Sequence, residues 1–187
     1  MGRKLTNAEY EFIKAEIVDL FIRFDVQCIP ISGFELAIKM GITLVPYTAL
    51  SQRKRNLVRQ ISRDGFYLEP GGCREIIYYD DSKGYGRANW TILHEIGHAV
   101  LGHTDDTDPD VVEAEANFFA KYAVAPPPLV HKLHPSCPKD IREWFSLSYQ
   151  ESIYAFDYYQ KWLQYSGAGY TDYELALLEQ VIYSVAG

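Results

Sequence analysis

The chain predicts an α+β fold, mostly helical, with a small sheet of about three strands and a helical C-terminal region. Three observations carry that expectation. Apolar residues recur at helical spacing along most of the 187 residues. Short β-rich runs appear at Ile42–Val45, Phe66–Leu68 and Glu75–Tyr79. No internal repeat or low-complexity tract interrupts the pattern.

The elements follow in order. Asn7 to Phe24 is an amphipathic helix with Phe12, Ile13, Ile17, Leu20, Phe21 and Phe24 on its apolar stripe. Pro30 breaks the chain. Ser32 or Gly33 starts a short helix through Met40, closed by Gly41. Ile42–Val45 is a strand ended by Pro46. Leu50, Leu57, Val58 and Ile61 mark a further helix, ended by Asp64-Gly65. Its run Arg53-Lys54-Arg55, with Arg59 and Arg63, reads as a solvated face rather than a nucleic-acid contact. Phe66–Leu68 and Glu75–Tyr79 are strands joined by the turn-rich Glu69-Pro70-Gly71-Gly72-Cys73. Asp80 to Gly86 reads as a loop leading to a helix that starts at an Asn89 N-cap and stops at Gly102.

That helix carries His94-Glu95-Ile96-Gly97-His98, the H-E-x-x-H pattern of zinc-dependent hydrolases. Residues four apart share a helix face, so His94 and His98 can offer two imidazole nitrogens to one ion. Glu95 stands about 100° around from His94, where a carboxylate can take a proton from an attacking water. Gly97 costs about 1 kcal/mol against Ala inside a helix. A tight approach of another backbone would explain it.

A catalytic zinc needs three protein ligands and an open position. His103 is five residues after His98, about 140° round the helix, and packs or caps near the helix end. The next helix starts at Asp108-Pro109 and runs to Pro126. On it, Glu113, Ala116, Asn117 and Ala120 share one face, suited to packing against the metal helix. Asn117 can support a ligating histidine from behind. Glu115 lies about 200° from Glu113 and reads as a solvated charge.

With these residues the chain resembles the ImmA/IrrE family of metallo-endopeptidases. The resemblance rests on an apolar strand at Ile76–Tyr79, then His94 to His98, then Glu113-Ala114-Glu115-Ala116-Asn117-Phe118-Phe119-Ala120, then Pro126. Ile38 to Ile42 matches the family's helix-to-strand step, and Asp140 to Ser148 its later segment, with Leu147 where valine is usual. It covers roughly residues 8 to 160. It implies a zincin-like domain, Zn2+ as cofactor, and His94, His98 and Glu113, rather than Glu115, as ligands. It also implies regulated cleavage of a DNA-binding repressor, encoded beside the enzyme on a mobile element or in a stress regulon.

In such a site zinc polarises the scissile carbonyl, and Glu95 moves the proton from water to the leaving amine. Candidates for stabilising the oxyanion are Tyr85, Arg87, His103 and Tyr122. Extended substrate is expected to pair with an edge strand, with Ile76–Tyr79 favoured because its chain continues into the site. A second reading is a non-proteolytic zinc module that docks a repressor or toxin. The intact Glu95 favours the enzyme.

Composition bounds the rest. At 48% hydrophobic and 23% charged, residues 1–187 suit one globular domain. Residues 139–187 form a candidate helical subdomain. There Asp140 to Trp162 reads as a helix, a turn at Phe145-Ser146-Leu147-Ser148 and a second helix, lacking the basic residues a DNA reader needs. Eleven of the 27 aromatic residues fall between Trp144 and Tyr173, so this segment is the expected protein-docking surface, with Tyr158 and Tyr159 as exposed candidates. The net charge of −7 argues against direct nucleic-acid binding and suits a basic partner protein. No apolar run approaches membrane-spanning length, and Met1 to Phe12 lacks a signal-peptide core. Met1 to Thr6 fits the myristoylation pattern, which is frequent by chance. Cys28, Cys73 and Cys137 are widely spaced and odd in number, which points to structural thiols in a reducing cytoplasm.

Overall fold

The computed structural model describes residues 3–71, 74–104, 106–165 and 169–181. Met1 and Gly2 of the myristoylation pattern, and Gly72 and Cys73 of the turn, lie outside the described residues. The α+β class holds. In chain order the elements are α1 (Asn7–Arg23), α2 (Gly33–Met40), β1 (Thr43–Pro46), α3 (Gln52–Ile61), β2 (Gly65–Leu68) and β3 (Ile76–Tyr79). They continue with α4 (Tyr85–Val100), α5 (Pro109–Val124), α6 (Pro127–Lys132), α7 (Pro138–Trp144), α8 (Tyr149–Tyr165) and α9 (Asp172–Gln180). The chain divides into two compact units.

The first unit is built on Ser32–Ala120. Its sheet has the order β1-β3-β2, with β3 parallel to β1 and antiparallel to β2. This corrects the edge-strand expectation. Both sides of β3 are paired, and Ile77 at its centre is fully buried, so β2 is the edge nearest the motif helix. Helix α4 packs against β2 and β3, and its Ile92, Leu93 and Ile96 are fully buried.

Helix α4 also starts earlier than Asn89, at Tyr85. Asn89 is buried inside it, and its side chain accepts the Gly33 N–H of α2 at 2.7 Å. The amide caps a neighbouring helix instead of its own. Glycine suits the close approach there, since a Cβ would lie 3.0 Å from Leu93 Cγ and 3.1 Å from Asn89 O. No residue of α3 is buried, although Arg55 is tied to the carbonyls of Tyr47, Thr48 and Leu50.

The second unit joins Asn7–Ile31 to the chain from Lys121 onward. It is wider than the 139–187 segment, because α9 packs against α1. Tyr173 donates to Glu11 at 2.6 Å and holds the two helices together. The helix-turn-helix pattern is present as α7, a turn with Ser146 at φ 53, and α8. Its aromatics are divided between interior and surface. Tyr159 is 5% exposed and pairs with His131 at 2.9 Å, while Trp162 donates to Glu174 at 2.7 Å. Tyr158 is half-buried beneath the Lys121 ammonium. The two tyrosines expected on a docking surface are therefore withdrawn from it, because each has an intramolecular partner. Cys28 is exposed and Cys137 half-buried, both as free thiols. Among the described residues no helix is long and apolar enough to cross a membrane.

Candidate metal centre and its cleft

On α4, His94 and His98 turn the same way, and their Nε2 atoms stand 3.1 Å apart. Helix α5 brings Glu113 to them, with one oxygen 3.7 Å from His94 Nε2 and the other 3.6 Å from His98 Nε2. Ligand atoms around a tetrahedral zinc at 2.0–2.1 Å are separated by about 3.3 Å. The three candidate donors lie within 4.8 Å of one another. Two imidazoles and a carboxylate at these separations match zinc in both chemistry and size.

Burial tunes each group. His94 is pushed down to about 4, first by burial and then by Arg87 and His103, with Asn117 opposing. His98 is pushed down to about 4 by burial, then by His94 and His103. Both rings are thus neutral at pH 7, the form that offers a lone pair. Glu95 is 7% exposed, and burial raises its carboxyl to about 7 against the opposing Tyr67 amide, with Glu113 adding to the rise. Asn117 lies beside His94 as expected, but His94 Nδ1 has no partner at hydrogen-bond distance among the described residues.

The cleft over these groups holds about 860 Å³ and is walled by β2, α4 and α5. Tyr67 of the edge strand donates its backbone N–H to Glu95 Oε2 at 2.8 Å. At the other side Arg87 clasps Asp64 through Nε at 3.1 Å and a terminal nitrogen at 2.9 Å. Arg87 also lies over Trp90, which stacks on His94 with ring centroids 5.2 Å apart. Arg87 and then Lys83 hold the Asp64 carboxyl down at about 2 against burial.

The four oxyanion candidates separate on these contacts. Arg87 and His103 line the cleft. Tyr85 is instead half exposed and stacked on Phe34. Tyr122 is fully buried among Glu11, Tyr158, Tyr173 and Glu174 of the second unit, which removes it from the set.

Glu115 stands differently from expectation, and His103 packs at the helix end as expected but not at the angle a continued helix would give. Helix α4 ends in a Schellman turn, with His103 N–H on His98 O at 3.1 Å, Gly102 N–H on Ala99 O at 3.3 Å, and Gly102 at φ 64. The turn folds His103 back onto His98, so counting helical degrees past Gly102 misplaces it. Its Nδ1 is 2.9 Å from His98 Nδ1, and its Nε2 is 2.9 Å from Glu115 Oε2. Glu115 is therefore no solvated charge, since its side chain is 20% exposed and paired. A glycine four residues beyond His98 was the available signal for this arrangement. Tyr67, Asp64 and Trp90 had no such signal.

A family model, Peptidase_M78, described as the IrrE N-terminal-like domain, matches residues 54–152, more than half of the chain. No curated protein matches it.

Proposed function

The chain belongs to the Peptidase_M78 family, and from that membership we propose a zinc-dependent endopeptidase that cuts one intracellular protein, a helix-turn-helix repressor. The metallopeptidase class follows from the family itself. The observation that carries the finer reading is the meeting of His94, His98 and Glu113 beside the buried carboxyl of Glu95.

His94, His98 and Glu113 would hold the ion. When bound, zinc supplies a Lewis acid that polarises the scissile carbonyl and acidifies water. Glu95 takes the proton from the attacking water and returns it to the leaving amine. A carboxyl standing at about 7 is suited to both transfers at neutral pH. The Tyr67 amide fixes one oxygen of that carboxylate and so orients it. The outer edge of β2 offers backbone groups to an extended segment, which would lie along the cleft beside the ligands. A docking module that merely kept the ion would have no use for a buried, oriented Glu95. A repressor as substrate is supported by the resemblance and by the net charge of −7, which complements a basic DNA-binding partner.

The test is incubation with a helix-turn-helix repressor found in a neighbouring reading frame, with and without chelator. Glu95→Gln is expected to keep its zinc and lose at least about 100-fold in rate. Cleavage by that variant at the wild-type rate would overturn the role of Glu95.

A further inference from the structure

We propose that His103 and Glu115 are positioning residues that fix the tautomer and aim of His98. The inference rests on the reading in which zinc sits on His94, His98 and Glu113.

Two imidazole nitrogens 2.9 Å apart need one proton between them, so one donates and the other accepts. For His98 Nε2 to give its lone pair to an ion, the His98 proton must sit on Nδ1. His98 Nδ1–H then donates to His103 Nδ1. His103 in turn carries its proton on Nε2 and donates to Glu115 Oε2 at 2.9 Å. The Glu115 oxygen accepts from His103 Nε2–H, so the whole chain of donors runs from His98 to Glu115. The bond at that end is charge-assisted, and the His103 side chain is only 7% exposed, which limits competition from water.

The backbone explains why His103 meets His98. The Schellman turn brings the second residue past the helix cap over the third residue before it, here His103 over His98. His94 has no equivalent, since no atom at hydrogen-bond distance meets its buried Nδ1 among the described residues. Helix α5 serves both sides of the arrangement. Glu113 faces the two Nε2 atoms, and Glu115, two residues on, faces the relay. Partners that orient a ligating histidine typically contribute 10–100-fold to metal affinity.

The experiment measures zinc affinity by competition with a chromophoric chelator. The proteins are wild type, His103→Leu, Glu115→Ala and the double variant, with melting curves of the metal-free forms. His103→Leu is expected to weaken zinc about 10–100-fold and to alter the visible spectrum of the cobalt(II) form. Glu115→Ala is expected to weaken zinc by less, and to add nothing once His103 is Leu, because it acts through that ring. Wild-type zinc affinity in folded His103→Leu overturns the proposal, and so do fully additive losses. If His103→Leu fails to fold, Glu115→Ala at its helical position decides alone, and unchanged affinity and spectrum there overturn the relay. His98→Ala separates the two readings. Retained zinc in that variant sinks the ligand set itself, whereas lost zinc there with normal His103→Leu and Glu115→Ala binding sinks only the relay.

Discussion

Asp64, Arg87, Trp90 and His94 form a stacked line along one wall of the cleft, and its charged end is an ion pair with Asp64 33% and Arg87 44% exposed. The Asp64 carboxyl stands at about 2 against an ordinary 3.8, chiefly because Arg87 hydrogen-bonds it. A folded value below the unfolded one means that the unfolded chain binds the proton more readily. The stabilisation is therefore complete above pH 3.8 and disappears as the pH falls toward 2. Asp64→Asn is expected to lower stability at pH 7 by at most about 1 kcal/mol, since solvent screens the pair. Urea midpoints of the two proteins should converge as the pH falls through that window, and a gap independent of pH would contradict this account. At this scale the sequence made His94, Glu95 and His98 readable through spacing alone. It hid the Asp64–Arg87 pair, whose members are 23 residues apart and meet only because β2 packs on α4.

Gly97 shows what a helix gives up to bring a second helix close. It was expected to face a backbone, but a Cβ there would lie 3.0 Å from both Cβ and Cγ of Phe119 on α5. Those atoms are near the α5 backbone and cannot swing aside. Gly97→Ala gains about 1 kcal/mol of helix propensity and meets an overpacking cost of about 1–3 kcal/mol. The net expectation is a lower melting temperature together with weaker zinc, because α5 carries Glu113. A variant that is more stable and binds zinc normally would contradict this packing account. Other elements were readable to different depths. The sheet strands and the α7–turn–α8 pattern followed from alternation and punctuation. The start of α4 was misread because Asn89 looks like a cap and is one, for α2. Helix α9 went unread although Thr171 and Glu174 form a capping box, a signal present in the sequence. The edge strand could not be read, since strand order depends on pairings that no local pattern records.

Across the whole chain, the helix-rich unit is assembled from both ends of the sequence, and only part of its aromatics serve its interior. The cluster from Trp144 to Tyr173 is divided between interior and surface: composition reports aromatic density, and only packing decides which side each ring faces. Tyr149, Tyr154 and Tyr165 do stay exposed, at 68%, 54% and 86%. The unit that carries the candidate metal ligands, by contrast, was readable in outline because those residues sit on two adjacent helices at fixed spacings. Its closing feature, the fold-back of His103, depended on a left-handed glycine at the end of α4. The measurement that bears most directly on the account is zinc content per chain in wild type, His98→Ala, Glu113→Ala and Glu115→Ala. The account predicts about one zinc in wild type, loss of most of it in the first two variants, and a weakened but present site in Glu115→Ala. Full occupancy in Glu113→Ala with complete loss in Glu115→Ala would contradict it, by assigning the third ligand to the other glutamate.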